Sequence, residues 1–161
     1  MIILGIDPGT AMTGFGLIQC LKGEMKLLEK GSIKTSNHHD SSYRLNLIYE
    51  EVVGLMKNHQ PEILAIESLF FNTNAKSASA VGQAIGVIKL AAARGKIKVF
   101  EYPPSKIKME LVGNGRAEKS EVQSKVRKAL HLRKIPRPTH AADALAVAIC
   151  HWLEMNKREV L

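Results

Sequence analysis

The sequence predicts a mixed α/β domain, with one central mixed five-stranded sheet flanked by helices. Three observations predict it. The N-terminal third holds three apolar runs separated by turn signals, Asp7-Pro8-Gly9 and Lys22-Gly23, the pattern of an antiparallel meander. Two further short apolar runs, 62–67 and 97–102, alternate with segments of helical periodicity. The chain has 161 residues, 45% of them hydrophobic, which fits a single domain spanning 1–161 with one sizeable core.

Element by element, residues 2–7 form a first strand that ends at Asp7-Pro8-Gly9, and 13–21 and 25–34 form two more. Ser36–Ser41 is a polar loop. From Ser42, the apolar positions Leu45, Leu47, Ile48, Val52, Leu55 and Met56 recur at helical spacing to about Asn58, where Gln60-Pro61 stops the helix. Residues 62–67 are a short buried strand. Residues 74–94, rich in Ala, Gly and Ser, form a long helix able to pack closely against a neighbour. A strand at 97–102 precedes Pro103-Pro104. Short helices at 104–111 and 118–130 follow, then a last helix over about 140–155 with Thr139 as its N-cap. This order matches the ribonuclease H-like architecture, and an architecture by itself establishes no function.

The net charge is +8, unevenly spread: residues 1–60 balance six Lys/Arg against six acids, whereas residues 89–137 carry fourteen Lys/Arg against four, a balance of +10. Positive charge gathered in one third of a compact domain points to a polyanion partner. No apolar run is long enough to span a bilayer, and the N-terminus carries neither a basic leader nor a small-residue cleavage site, so a cytoplasmic protein is expected. Cys20 and Cys150 lack zinc-type spacing and sit in apolar stretches, as buried free thiols do in a reducing compartment.

Asp7 and Glu67 each close an apolar strand. If those strands are parallel neighbours, the two carboxylates lie side by side at the sheet edge where α/β proteins place their sites. Like charges that close need a cation or a shifted pKa. The competing reading is that Asp7 merely caps its own turn and Glu67 the segment that follows it. On the last helix His140 and Asp143 are three residues apart and share a face, with small alanines between them. The four together form an oxygen-rich set suited to Mg²⁺ or Mn²⁺, and two such ions would serve phosphodiester hydrolysis. His38-His39-Asp40 reads as a solvated loop, and His59, His131 and His151 show no partners in sequence. Phe70-Phe71, just after the Glu67 strand, either cover the core or expose one ring for stacking on bases. Lys106, Lys108, Arg116 and Lys119 flank the turn Val112-Gly113-Asn114-Gly115, a candidate surface for a nucleic-acid backbone.

Several segments, in register along residues 1–155, resemble the RuvC family of Holliday-junction resolvases. They are Leu4-Gly5-Ile6-Asp7-Pro8-Gly9-Thr10 with Thr13-Gly14-Phe15-Gly16, then Ala65-Ile66-Glu67, then Val112-Gly113-Asn114-Gly115 with Ala117–Gln123, and finally Ala141-Ala142-Asp143-Ala144-Leu145-Ala146. The resemblance implies that Asp7, Glu67 and Asp143 are metal-binding catalytic acids. His140 stands where many members have aspartate and others histidine. It could ligate a metal as neutral imidazole, orient water or transfer a proton, and a nitrogen donor favours Mn²⁺ over Mg²⁺. Phe70 would stack on bases at the junction centre, and Lys108 and Lys119 would contact DNA. The resemblance also implies a homodimer, whose two-fold symmetry supplies the two sites that symmetric nicks require, with the small-residue helix 74–94 as the candidate interface, and the partners RuvA and RuvB.

Three other readings compete. The Gly5–Thr10 segment also resembles the phosphate loop of the actin, sugar-kinase and heat-shock ATPase group, but those proteins clamp a nucleotide between two lobes and 161 residues supply one. A related nuclease of the same fold could act on RNA, as YqgF-type proteins do. A non-catalytic junction-binding module would follow if His140 had abolished metal binding, which the retained acids argue against.

Overall fold

In the computed structural model, residues 1–68 and 75–159 are described. The elements are β1 (Ile2–Asp7), β2 (Met12–Leu21), β3 (Glu24–Lys34), α1 (Ser41–His59), β4 (Ile63–Glu67), α2 (Ala75–Arg94), β5 (Lys98–Tyr102), α3 (Pro104–Val112), α4 (Lys119–Ala129) and α5 (Thr139–Glu159). They form one five-stranded sheet in the order β3-β2-β1-β4-β5. β2 is antiparallel to both β1 and β3, while β4 runs parallel to β1 and to β5. The mixed five-stranded α/β architecture is the one expected, and each strand lies within a residue or two of its expected bounds.

The local chemistry explains the elements. Lys22 and Gly23 both have positive φ, 51° and 85°, so a two-residue turn closes the β2–β3 hairpin. A register shift at Leu17/Ile18 leaves Leu28 unpaired and reverses which β3 residues face each side of the sheet. Asp40 starts α1 by accepting a hydrogen bond from the Tyr43 N–H at 2.8 Å, which gives the His38-His39-Asp40 loop a structural role. Gln60, at φ 50°, ends α1 by donating its N–H to the Met56 carbonyl. Strands β1 and β4 read as continuous apolar runs because both faces of the sheet are covered.

On one face, α1 and α2 bury Leu4, Ile6, Leu17, Leu64 and Ile66. On the other, α5 buries Ile3, Ile18, Ile63 and Ala65, flanked by residues of α3 and α4. α5 lies in a trough of small residues: Gly16, Gly5 and Ala65 are paired side by side across three strands. A β-carbon on Gly14 would strike the His140 carbonyl, and one on Gly5 would strike the Ala144 carbonyl. These glycines are what let α5 approach the backbone of the sheet. Because Gly14 is paired with Asp7, that approach sets the first turn of α5 beside the end of β1.

The expected N-cap at Thr139 is corrected by one residue. The Pro138 carbonyl accepts from the N–H groups of Ala141 and Ala142, so Thr139 is already in the first turn. Among the described residues, no helix is long and apolar enough to cross a membrane. Both cysteines are free and buried.

Candidate active site

Strand pairing brings the first two acids together. β1 and β4 are parallel neighbours with Ile6 opposite Ile66, so Asp7 and Glu67 leave the sheet at the same level. The tight turn after Asp7 does not consume its carboxylate. Thr13 does that work, donating its hydroxyl to the Gly9 carbonyl at 2.6 Å and accepting from the Gly9 N–H at 3.4 Å. Asp7 is left to meet α5, where its Oδ2 lies 2.7 Å from Nδ1 of His140. Asp143, one turn further along α5, completes the group: ligand atoms of Asp7, His140 and Asp143 all lie within 4.8 Å of one another. Glu67 adjoins Asp7 outside that set and faces the same cavity of about 370 Å³, which is also lined by Lys108, Lys119, Pro104, Ile107 and Val122.

α3 and α4 bring the lysines. Pro104 opens α3, and Gly113, at φ 84°, closes it with an N–H donated to the Met109 carbonyl. At the start of α4, the Glu118 N–H donates to Oε2 of Glu121 at 2.8 Å. This places Lys119 so that its ammonium donates to Oδ2 of Asp143 at 2.5 Å. The side chain of Lys119 is 55% exposed and that of Asp143 is 19%, so the lysine reaches in from solvent over the acid.

Burial and mutual repulsion shape the titration of the cluster. The Glu67 carboxyl is pushed up to about 8, first by burial and then by the charges of Asp7 and Asp143, with Lys119 opposing. The Asp7 carboxyl is also raised, by burial above all, with the His140 hydrogen bond opposing and the Asp143 charge adding. Three carboxyls and an imidazole that converge while two of the acids resist ionisation make a site that a divalent cation would stabilise. Hard oxygen donors with one nitrogen suit Mg²⁺ or Mn²⁺.

Asp7, Glu67, His140, Asp143, Lys108 and Lys119 therefore share one cavity. Arg116 does not line it. That residue sits exposed on the α3–α4 turn, with its backbone N–H donated to Oδ1 of Asn114 at 3.0 Å. Phe70 and Phe71 lie outside the described residues. Lys106 does not line this cavity. It pairs at 3.0 Å with Glu110, whose side chain is only 4% exposed, and at 3.5 Å with Glu154. Lys157 pairs with Glu110 at 2.5 Å, so this group braces α3 against α5. His59 and His151 also find partners, Glu29 at 2.5 Å and the Tyr102 hydroxyl at 2.7 Å. A cavity of about 500 Å³ at the far end of the sheet is lined by Tyr49, Lys57, Gln60, Arg94 and apolar neighbours, with no acid among these described residues.

What the sequence reading missed is the glycine trough. Its signal was present: Gly5, Gly14 and Gly16 stand inside strands, where glycine marks close backbone approach.

The family model described as crossover junction endodeoxyribonuclease RuvC matches residues 3–151. The chain belongs to the RuvC family. A RuvC of Heliobacterium modesticaldum is 49% identical over 150 residues, covering 93% of each chain. The RuvC structure from Thermus thermophilus superposes with a TM-score of 0.90 at 34% identity, covering 98% of this chain and 96% of the other. The same protein in complex with a Holliday junction substrate also superposes at 0.90, with 32% identity and the same coverage.

Proposed function

We propose that this protein is a crossover junction endodeoxyribonuclease that resolves four-way (Holliday) DNA junctions by two symmetric, divalent-metal-dependent nicks, in recombination and repair. The observation that carries the proposal is the convergence of Asp7, His140 and Asp143 within 4.8 Å, with Glu67 alongside and Lys108 and Lys119 on the rim, in a chain of this family. Asp7, Asp143, Glu67 and His140 would hold Mg²⁺ or Mn²⁺, two ions in the full site. The chemistry such ions supply is activation of water and neutralisation of the leaving oxygen.

The residues of the chain do the rest. Burial of Asp7 and Glu67 would strengthen their attraction for a bound cation. The Asp7 hydrogen bond orients the His140 imidazole, which would hold a metal through nitrogen and tilt preference toward Mn²⁺. Lys119 balances Asp143 before substrate arrives and then meets a phosphate. Lys108 and Arg116 add backbone contacts, and Phe70 stacks on bases at the junction centre.

A homodimer supplies two such sites. The outward side of α2 supports α2 as the interface: Ser79, Gln83, Gly86, Leu90 and Ala93 recur at heptad spacing and are exposed, and Gly86 has open space above it. The family resemblance adds RuvA and RuvB as partners, and the two buried thiols suit a cytoplasmic setting.

The test is Asp143→Asn. It should retain junction binding and slow cleavage by roughly 100-fold or more, since a metal ligand is removed while the basic rim stays. Equal loss of both would make Asp143 a structural residue.

A further inference from the structure

The excess positive charge of residues 89–137 does not all lie beside Lys108 and Lys119. Three of those cations, Arg133, Lys134 and Arg137, stand exposed on the α4–α5 connection that leads into His140. That connection is tied to the sheet edge, because the Lys30 ammonium on β3 donates to the Arg137 carbonyl at 2.5 Å. Pairing fixes where this lies. Asp7 is opposite Gly14, Gly14 is opposite Ser32, and Gly16 is opposite Lys30. Alternation from Lys30 then puts Ser32 and Lys34 on the same face of the sheet as α5. Lys30, Lys34 and Arg137 thus flank the acid cluster on the β3 side, across from the cavity rim that holds Lys108 and Lys119. Among the described residues, none of Lys30, Lys34, Arg133, Lys134 and Arg137 is engaged in an ion pair, in contrast to Lys89, Lys106, Lys119 and Lys157. A group of cations without acids facing it keeps its full attraction for a polyanion.

We propose that Lys30, Lys34 and Arg137 form a second phosphate-binding patch, which holds the backbone of the cut DNA strand on the β3 side of the active centre. The cut strand then crosses Asp7, His140 and Asp143 between two cationic banks. Two strand spacings of about 4.8 Å separate β1 from β3. Neighbouring phosphates of one strand lie farther apart than the axial rise of about 3.4 Å, so that distance spans about one to two nucleotides from the scissile phosphate. The Arg137 carbonyl takes one of the three Lys30 donors, and the remaining two are available to a phosphate. The inference rests on the junction-nuclease reading and adds to it the direction in which the strand runs over the site.

The experiment measures binding of a synthetic four-way junction in EDTA over a range of salt, for the wild type, Lys34→Gln/Arg137→Gln, Lys119→Gln and Lys26→Gln. Lys26 precedes the β3 register shift and faces the opposite side of the sheet, so it is the control. Each phosphate that a variant no longer neutralises should lower the slope of log K against log salt by about 0.9. The slope of the double variant should be shallower by about 1 to 2, with binding about 10-fold weaker at physiological salt, and Lys26→Gln should match the wild type. Ethylation of phosphates about one to two nucleotides from the cut, on that side, should impair binding of the wild type and not of the double variant. A double variant with the wild-type slope, while Lys119→Gln lowers it, would overturn the patch and leave the nuclease reading standing. Failure of the wild type to prefer the junction over linear duplex would overturn both.

Discussion

Glu67→Gln should make the metal-free protein more stable while abolishing its chemistry. The Glu67 carboxyl is pushed from its ordinary value of 4.5 up to about 8 by burial and by the Asp7 and Asp143 charges. A carboxyl with a raised folded-state pKa binds more protons folded than unfolded between those two values. Stability is therefore unaffected below about pH 4.5 and is lost progressively as pH rises toward about 8. At about 1.4 kcal/mol per pH unit, the ceiling on that loss is about 5 kcal/mol. Asp7 and Glu67 share one repulsion, and water reaches the cavity mouth, so about 2 kcal/mol is expected at Glu67 itself. Glutamine keeps the volume and removes the charge. In EDTA, urea denaturation at pH 8 should show Glu67→Gln about 2 kcal/mol more stable than the wild type, a rise of about 4–8 °C in Tm for a chain of this size. At pH 5 the two should be nearly equal. The raised Asp7 carboxyl remains in both proteins and leaves a shallower fall with pH in the variant. Added Mn²⁺ should stabilise the wild type more than the variant, since the cation relieves the repulsion that the substitution has already removed. A difference in stability that does not change with pH, or a variant less stable at pH 8, would refute the reasoning.

Two further substitutions probe the architecture that assembles the site. His140→Asp replaces the nitrogen donor with oxygen and should shift the ratio of cleavage rates in Mn²⁺ and Mg²⁺ toward Mg²⁺ by several-fold; an unchanged ratio would show that His140 does not contact the metal. Gly14→Ala puts a methyl group against the His140 carbonyl and must displace the start of α5. It should cost about 1–3 kcal/mol of stability, read by denaturation, and reduce cleavage by about 10-fold or more with junction binding largely intact.

Much of the site was legible in the sequence because its residues sit where local signals are strong. Asp7 and Glu67 each follow a continuous apolar run, and β1 and β4 turn out to be parallel neighbours, so the strand ends predicted the meeting of the carboxylates. His140 and Asp143 were placed by their spacing on one helix. That Lys106 turns toward Glu110 and Glu154 and not into the acid cavity was not legible, because sequence proximity to a turn says nothing of which way a helical side chain points. The shift of the α5 cap from Thr139 to Pro138 reflects a backbone choice that residue preferences describe only on average. The link from Lys30 to the Arg137 carbonyl joins residues 107 apart and has no local signal at all.

The most direct test of the account is cleavage of an end-labelled synthetic four-way junction, with matched linear duplex and RNA–DNA hybrid controls, in Mg²⁺ and in Mn²⁺. Paired, symmetric nicks in the junction alone, faster in Mn²⁺ and absent in EDTA, are the predicted result. Binding without nicks, or equal cutting of junction and controls, would contradict it.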